Sequence, residues 1–131
     1  MRPRGLAWPL LALAAAALLA ASRRLDVVEV RGRSMAPTLL PGDRLLVARL
    51  PLRVGDIVLA ADPREPGREL IKRVAAIDEL GVTLRGDQAA ASTDARTFGA
   101  IPVDAVTWRA VARYWPIDRI GRVPPAPNEP V

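Results

Sequence analysis

Hydrophobic and polar positions divide the chain into stretches of different period. Residues 5–22 carry no charge, with Arg4 before them and Arg23-Arg24 after. A helix over those positions reaches about 27 Å against a hydrocarbon core of about 30 Å, so the run predicts one membrane span with arginines snorkelling from its ends. Trp8-Pro9 suits a helix start at the lipid interface. A cleavable leader ending at Ala20-Ala21-Ser22 is the competing reading, and the arginine pair directly behind it favours an uncleaved anchor. From Asp26 onward the period changes to two. Alternation predicts strands at 27–30, 44–50, 56–60, 70–77, 82–85 and 106–115, separated by turns such as Pro41-Gly42-Asp43 and Asp62-Pro63. Short strands between Gly and Pro turns imply a mostly β domain, a sandwich or barrel. In the last strand Val106, Trp108, Ala110, Ala112 and Tyr114 form an apolar face, with Thr107, Arg109 and Arg113 opposite. Residues 117–131 hold four prolines and little to bury, which predicts a flexible tail. The expected organisation is therefore an anchor at 1–25, a domain at 26–116 and a tail at 117–131.

Composition narrows the chemistry. The chain has no histidine and no cysteine, which removes the usual base for a serine nucleophile, thiol catalysis and readable Cys/His metal sites. No cofactor or metal is implied. Of the 19 basic residues only Lys72 is lysine. Arginine stays protonated at working pH, whereas a desolvated lysine can be neutral. The net charge is +5, yet the arginines are scattered without interleaved aromatics, a poor surface for single-stranded nucleic acid.

Candidate chemistry begins at Ser34, which follows the apolar alternation of Val28 and Val30 and precedes Pro37 and Pro41-Gly42-Asp43. A strand that ends in a serine before a prolyl turn leaves the hydroxyl where a substrate backbone can reach it. The alternative is a turn serine that bonds its own backbone. Lys72 alternates onto one face with Leu70, Val74 and Ala76, while Ile71, Arg73, Ala75 and Ile77 take the other. Aliphatic neighbours penalise the ammonium. Moving a lysine from about 10.4 to the range of about 7 to 8 that suits a general base costs roughly 4 kcal/mol. A snorkelling stem with its head in water is the structural alternative.

Five ordered segments carry a resemblance: Ser34-Met35-Ala36-Pro37-Thr38-Leu39, Pro41-Gly42-Asp43, Val54-Gly55-Asp56-Ile57-Val58, Ile71-Lys72-Arg73-Val74, and Gly86-Asp87 through Ser92, Asp94, Arg96 and Gly99. Together, over about residues 26 to 116, they resemble the boxes of type I signal peptidases. The resemblance implies a bilayer-tethered, mostly β domain in which Ser34 is the nucleophile, Lys72 the general base and Ser92 the residue that orients the lysine. Arg73, Asp94 and Arg96 match residues that brace the site through ion pairs. It further implies a precursor protein as substrate, the lipid bilayer as the other partner, and a plasma-membrane enzyme with a cytoplasmic N terminus and an extracytoplasmic domain. Within the family the compact length, Ser92-Thr93-Asp94 and Arg113-Tyr114-Trp115-Pro116 look most like nickel-type superoxide dismutase maturation proteases; a general or accessory signal peptidase is the alternative. Gly32 stands where some members carry a hydroxyl, so oxyanion support falls largely to backbone N–H groups, each worth on the order of 3 kcal/mol. A repressor-type Ser/Lys autoprotease and a non-catalytic membrane-tethered β module are readings from other classes.

Overall fold

The structure, a computed structural model, describes residues 5, 7–65, 67–88 and 98–125. One helix, α1 (Ala7–Ser22), precedes seven strands: β1 (Leu25–Glu29), β2 (Arg44–Ala48), β3 (Ile57–Ala61), β4 (Glu69–Asp78), β5 (Gly81–Arg85), β6 (Val106–Trp115) and β7 (Gly121–Arg122). All six strands expected from the alternation are present, within a few residues of the expected bounds. They form one continuous antiparallel sheet in the order β1-β2-β6-β3-β4-β5, with β7 on β6, in place of the two stacked sheets of a sandwich.

α1 departs from the expected span. Its 16 residues reach about 24 Å, and no helix among the described residues is long and apolar enough to cross a membrane. It nevertheless exposes every side chain, including Trp8, Leu10, Leu11, Leu13, Leu18 and Leu19. Below it the linker is fixed by the Arg49 amide, which donates to Arg24 O at 3.0 Å.

β3 lies inside the sheet and is buried at Ile57, Val58, Leu59 and Ala60, so it reads as a continuous apolar run and not as an alternation. Its successive side chains feed two clusters. Ile57 joins Val30, Met35, Leu39, Leu45 and Val47; Val58 and Ala60 join Val74, Val82, Leu84 and Ile101. Met35 and Leu39 belong to the turn that carries Ser34, so that turn is bolted to the first cluster by its own apolar residues.

β6 corrects the sequence expectation in a second place. Its pairing with β2 skips Tyr114 and Val111, and each extra residue reverses the facing of its successors along the strand. Arg113, expected opposite the apolar face, is consequently buried, and Tyr114 is exposed. The chain beyond β6 also differs from a loose tail: Ile117–Arg119 forms a 3-10 turn, β7 returns onto β6, and Val123 packs against the first cluster.

Candidate active site

Ser34 follows β1 at the start of a tight turn that runs to Asp43. Three backbone bonds close it: Ala36 N–H to Arg33 O at 3.1 Å, Leu39 N–H to Met35 O at 2.9 Å and Asp43 N–H to Leu40 O at 3.0 Å. The ends meet where Val30 N–H donates to Asp43 O at 2.7 Å and Gly42 N–H donates to Val30 O at 2.9 Å. Glycine is required at the positive φ of Gly32 (76°) and Gly42 (92°), the two bends that let the turn leave and rejoin the strand. Ser34 is half-buried, and its amide N–H donates to no group among the described residues.

Lys72 is on β4, opposite Val58 in the register, and only 3% accessible. It shares a face with Val58 and Val74, as alternation predicts, and that face is buried. Ser34 and Lys72, 38 positions apart in the chain, line the same cavity of about 550 Å³. One wall is the segment from Glu29 to Met35, the other the segment from Gly67 to Lys72, with Leu59 between them.

Arg73 faces the opposite way, as alternation sorts it, and is buried as well. Its guanidinium donates to both oxygens of Asp87 at 2.8 Å, to Gly55 O at 2.7 Å and to Pro124 O at 3.2 Å. Thr38, in the serine turn, donates its hydroxyl to Asp87 Oδ2, and Gln88 N–H donates to Ser34 O at 2.9 Å. Asp87-Gln88 thus ties the turn bearing the serine to the strand bearing the lysine. Sequence reasoning had Arg73 bracing the site but did not give Asp87 and Thr38 their parts; the Gly86-Asp87 box was the available signal. Ser92, Asp94 and Arg96 lie outside the described residues.

A second buried network holds the far end of the turn. The Asp43 carboxylate accepts from Arg119 Nη1 at 2.9 Å, Arg113 Nη1 at 3.2 Å and Leu40 N–H at 2.9 Å. A third, smaller one shapes the β3–β4 connection beside the cavity. Asp62 accepts from the backbone N–H of Arg64 at 2.9 Å and from its guanidinium at 3.2 and 3.1 Å. The side-chain bonds from Arg64, then its backbone bond, hold the Asp62 carboxyl below its ordinary value. Among the described residues no cluster of His, Cys, Asp and Glu could hold a metal ion.

A half-buried serine and a buried lysine on one cavity, with a glycine and a prolyl turn flanking the serine, suit acyl transfer. Residues 4–79 match the family described as signal peptidase, peptidase S26. The chain belongs to that signal peptidase family. Among curated relatives, the mitochondrial ATP-independent inner membrane protease subunit 1a of Arabidopsis thaliana is 31% identical over 125 residues, covering 74% of each chain. The mitochondrial inner membrane protease subunit 1 of Homo sapiens is 29% identical over 127 residues, covering 78% of this chain and 76% of its own. Subunit 2 of Schizosaccharomyces pombe is 27% identical over 124 residues, covering 75% and 69%. These signal-peptidase relatives are named for the mitochondrial inner membrane and not for the plasma membrane, and none of the three is named for superoxide dismutase maturation, so both finer expectations lack support from them.

Proposed function

We propose that the protein is a membrane-associated serine endopeptidase that removes an N-terminal segment from a precursor protein, with Ser34 as nucleophile and Lys72 as general base. The observation that carries this is the shared cavity: two residues distant in sequence, the chain's only lysine and a turn serine, open onto one space. Burial as a general effect disfavours the charged form of an amine, and Lys72 is buried. In the reaction Lys72 takes the hydroxyl proton as Ser34 Oγ bonds to the scissile carbonyl carbon. The resulting ammonium gives that proton to the leaving amine as the C–N bond breaks, and water then hydrolyses the acyl-enzyme. The amide N–H of Ser34, which donates to no group among the described residues, is the candidate donor to the developing oxyanion. By the family resemblance Ser92 orients the lysine, and Asp94 and Arg96 brace that segment. General precursor processing is favoured over nickel superoxide dismutase maturation, because the relatives are named as membrane proteases of wider description. Membrane attachment is assigned to the exposed apolar surface of α1.

The test uses purified full-length protein, a set of fluorogenic precursor peptides and a serine-directed acylating probe. Wild type is expected to cleave and to be labelled, and Ser34→Ala to do neither. Labelling or cleavage that survives in Ser34→Ala overturns the assignment.

A further inference from the structure

The chain beyond β6 touches the serine turn at more than one point, and the family match, which ends at residue 79, does not reach it. From the 3-10 turn after β6, Arg119 Nη1 donates to Asp43 Oδ1 at 2.9 Å. Arg113 Nε donates to Arg119 O at 2.7 Å, and Arg113 Nη1 reaches both Thr38 O at 3.1 Å and Asp43 Oδ2 at 3.2 Å. Farther on, Val123 packs against the cluster that contains Met35 and Leu39, and Pro124 O accepts from Arg73, the neighbour of Lys72. One short strap therefore reaches the serine turn at Asp43 and the lysine strand at Arg73.

We propose that Arg119 is a positioning residue for Ser34, acting through the Asp43 carboxylate to fix the turn 34–43 against β4. Asp43 has 2% of its surface accessible, so its carboxylate oxygens depend on protein donors in place of water. The labour is divided: Leu40 N–H and Arg113 hold Oδ2, while Arg119 is the donor to Oδ1 among the described residues. Asp43 in turn closes the serine turn, since its side chain accepts from Leu40 and its carbonyl accepts from Val30. When Arg119 is lost, Oδ1 must turn toward water and draw the end of the turn with it. The Arg119 side chain is 27% exposed, so its removal opens a rim and not the core, which separates misplacement from unfolding. Reaction geometry is sensitive to such displacement, about 100-fold in rate for about 1 Å.

This inference rests on the peptidase reading, and the experiment separates the two. In full-length Arg119→Met, reactive sites are counted with the serine acylating probe and turnover is expressed per reactive site. The expected result is kcat per site reduced about 10- to 100-fold with KM nearly unchanged, and recovery toward wild type in Arg119→Lys. In an Asp43→Asn background, Arg119→Met should add little further loss. If the variant loses only its fraction of reactive sites while kcat per site stays at the wild-type value, Arg119 is merely structural and the inference falls. Should Arg119→Met not fold, Arg119→Gln is read by the same per-site comparison: a reduced kcat per site supports the inference and an unchanged one overturns it. Labelling that persists in Ser34→Ala removes the peptidase reading itself; Ser34-dependent labelling with an unchanged per-site kcat in the Arg119 variant removes this inference alone.

Discussion

Lys72 and Arg73 are adjacent cations on β4, both buried, and they face opposite sides of the sheet. Arg73 is matched by Asp87 in a two-bond pair whose side chains are 8% and 4% exposed, with Gly55 O and Pro124 O as further acceptors. Lys72 shares its face with Val58, Leu70 and Val74 and opens onto the cavity that Ser34 also lines. A buried cation with a matched carboxylate is architecture, because removing either partner strands the other charge. Lys72 lies instead on the wall of the cavity, where the proposed reaction needs a base.

The widest separation between the two positions should appear when each is replaced by methionine. Lys72→Met is expected to act first on cleavage, reducing it about 10³- to 10⁴-fold, the upper range for a general base. Arg73→Met should do the reverse in the first instance, lowering stability by about 3 to 5 kcal/mol because Asp87 is left buried without its cation. Urea titration of the two purified variants beside a cleavage assay checks both; cleavage retained at the wild-type rate in Lys72→Met would remove the distinction. A smaller effect isolates the link to the serine turn. Thr38→Val deletes the hydroxyl that donates to Asp87 but leaves the arginine pair intact, at an expected cost of about 1.5 to 3 kcal/mol for a hydrogen bond to a charged group. Stability unaltered within error in Thr38→Val would show that Arg73 alone satisfies Asp87.

Much of this arrangement was readable from pattern, and the parts that escaped did so for identifiable reasons. Alternation with Gly and Pro turns gave the strands and put Lys72 on a buried face, because side-chain direction in a strand is fixed by period two. The same rule failed at Arg113, since the bulged residues Val111 and Tyr114 reverse the phase and leave no mark in composition. It also failed to show why Arg73 is buried: the partner, Asp87, belongs to a segment beyond the next strand, and nothing local to β4 announces it. Residues 117–124 read as a tail because prolines and a two-residue strand give no periodic signal. Their contacts come from Arg119, Val123 and the carbonyl of Pro124, none of which is distinctive in sequence. The uncharged run at 5–22 gave the helix but overstated its length, since α1 begins only at Ala7.

The smallest expected effect sets the buried arginine pair against one that borders solvent. Asp62 pairs with Arg64 at 3.1 Å, but the Arg64 side chain is 44% exposed, so water screens much of what the pair contributes. The Asp62 carboxyl is held below its ordinary value of 3.8, first by the Arg64 side-chain bonds. A carboxyl depressed in the folded state binds protons less readily there than in the unfolded chain. Its contribution is therefore complete above the unfolded pKa, declines as pH falls toward the lower folded pKa, and is gone below it. Replacing it by Asp62→Asn should leave the protein slightly less stable at neutral pH and flatten the fall in the urea midpoint as the medium is acidified from about pH 5 to about pH 3. The comparison with Arg73→Met is then direct: both substitutions break an arginine–carboxylate pair of similar geometry, and only the pair closed off from water should register as a large loss. A wild-type acid slope retained in full by Asp62→Asn would show that other carboxylates govern that range.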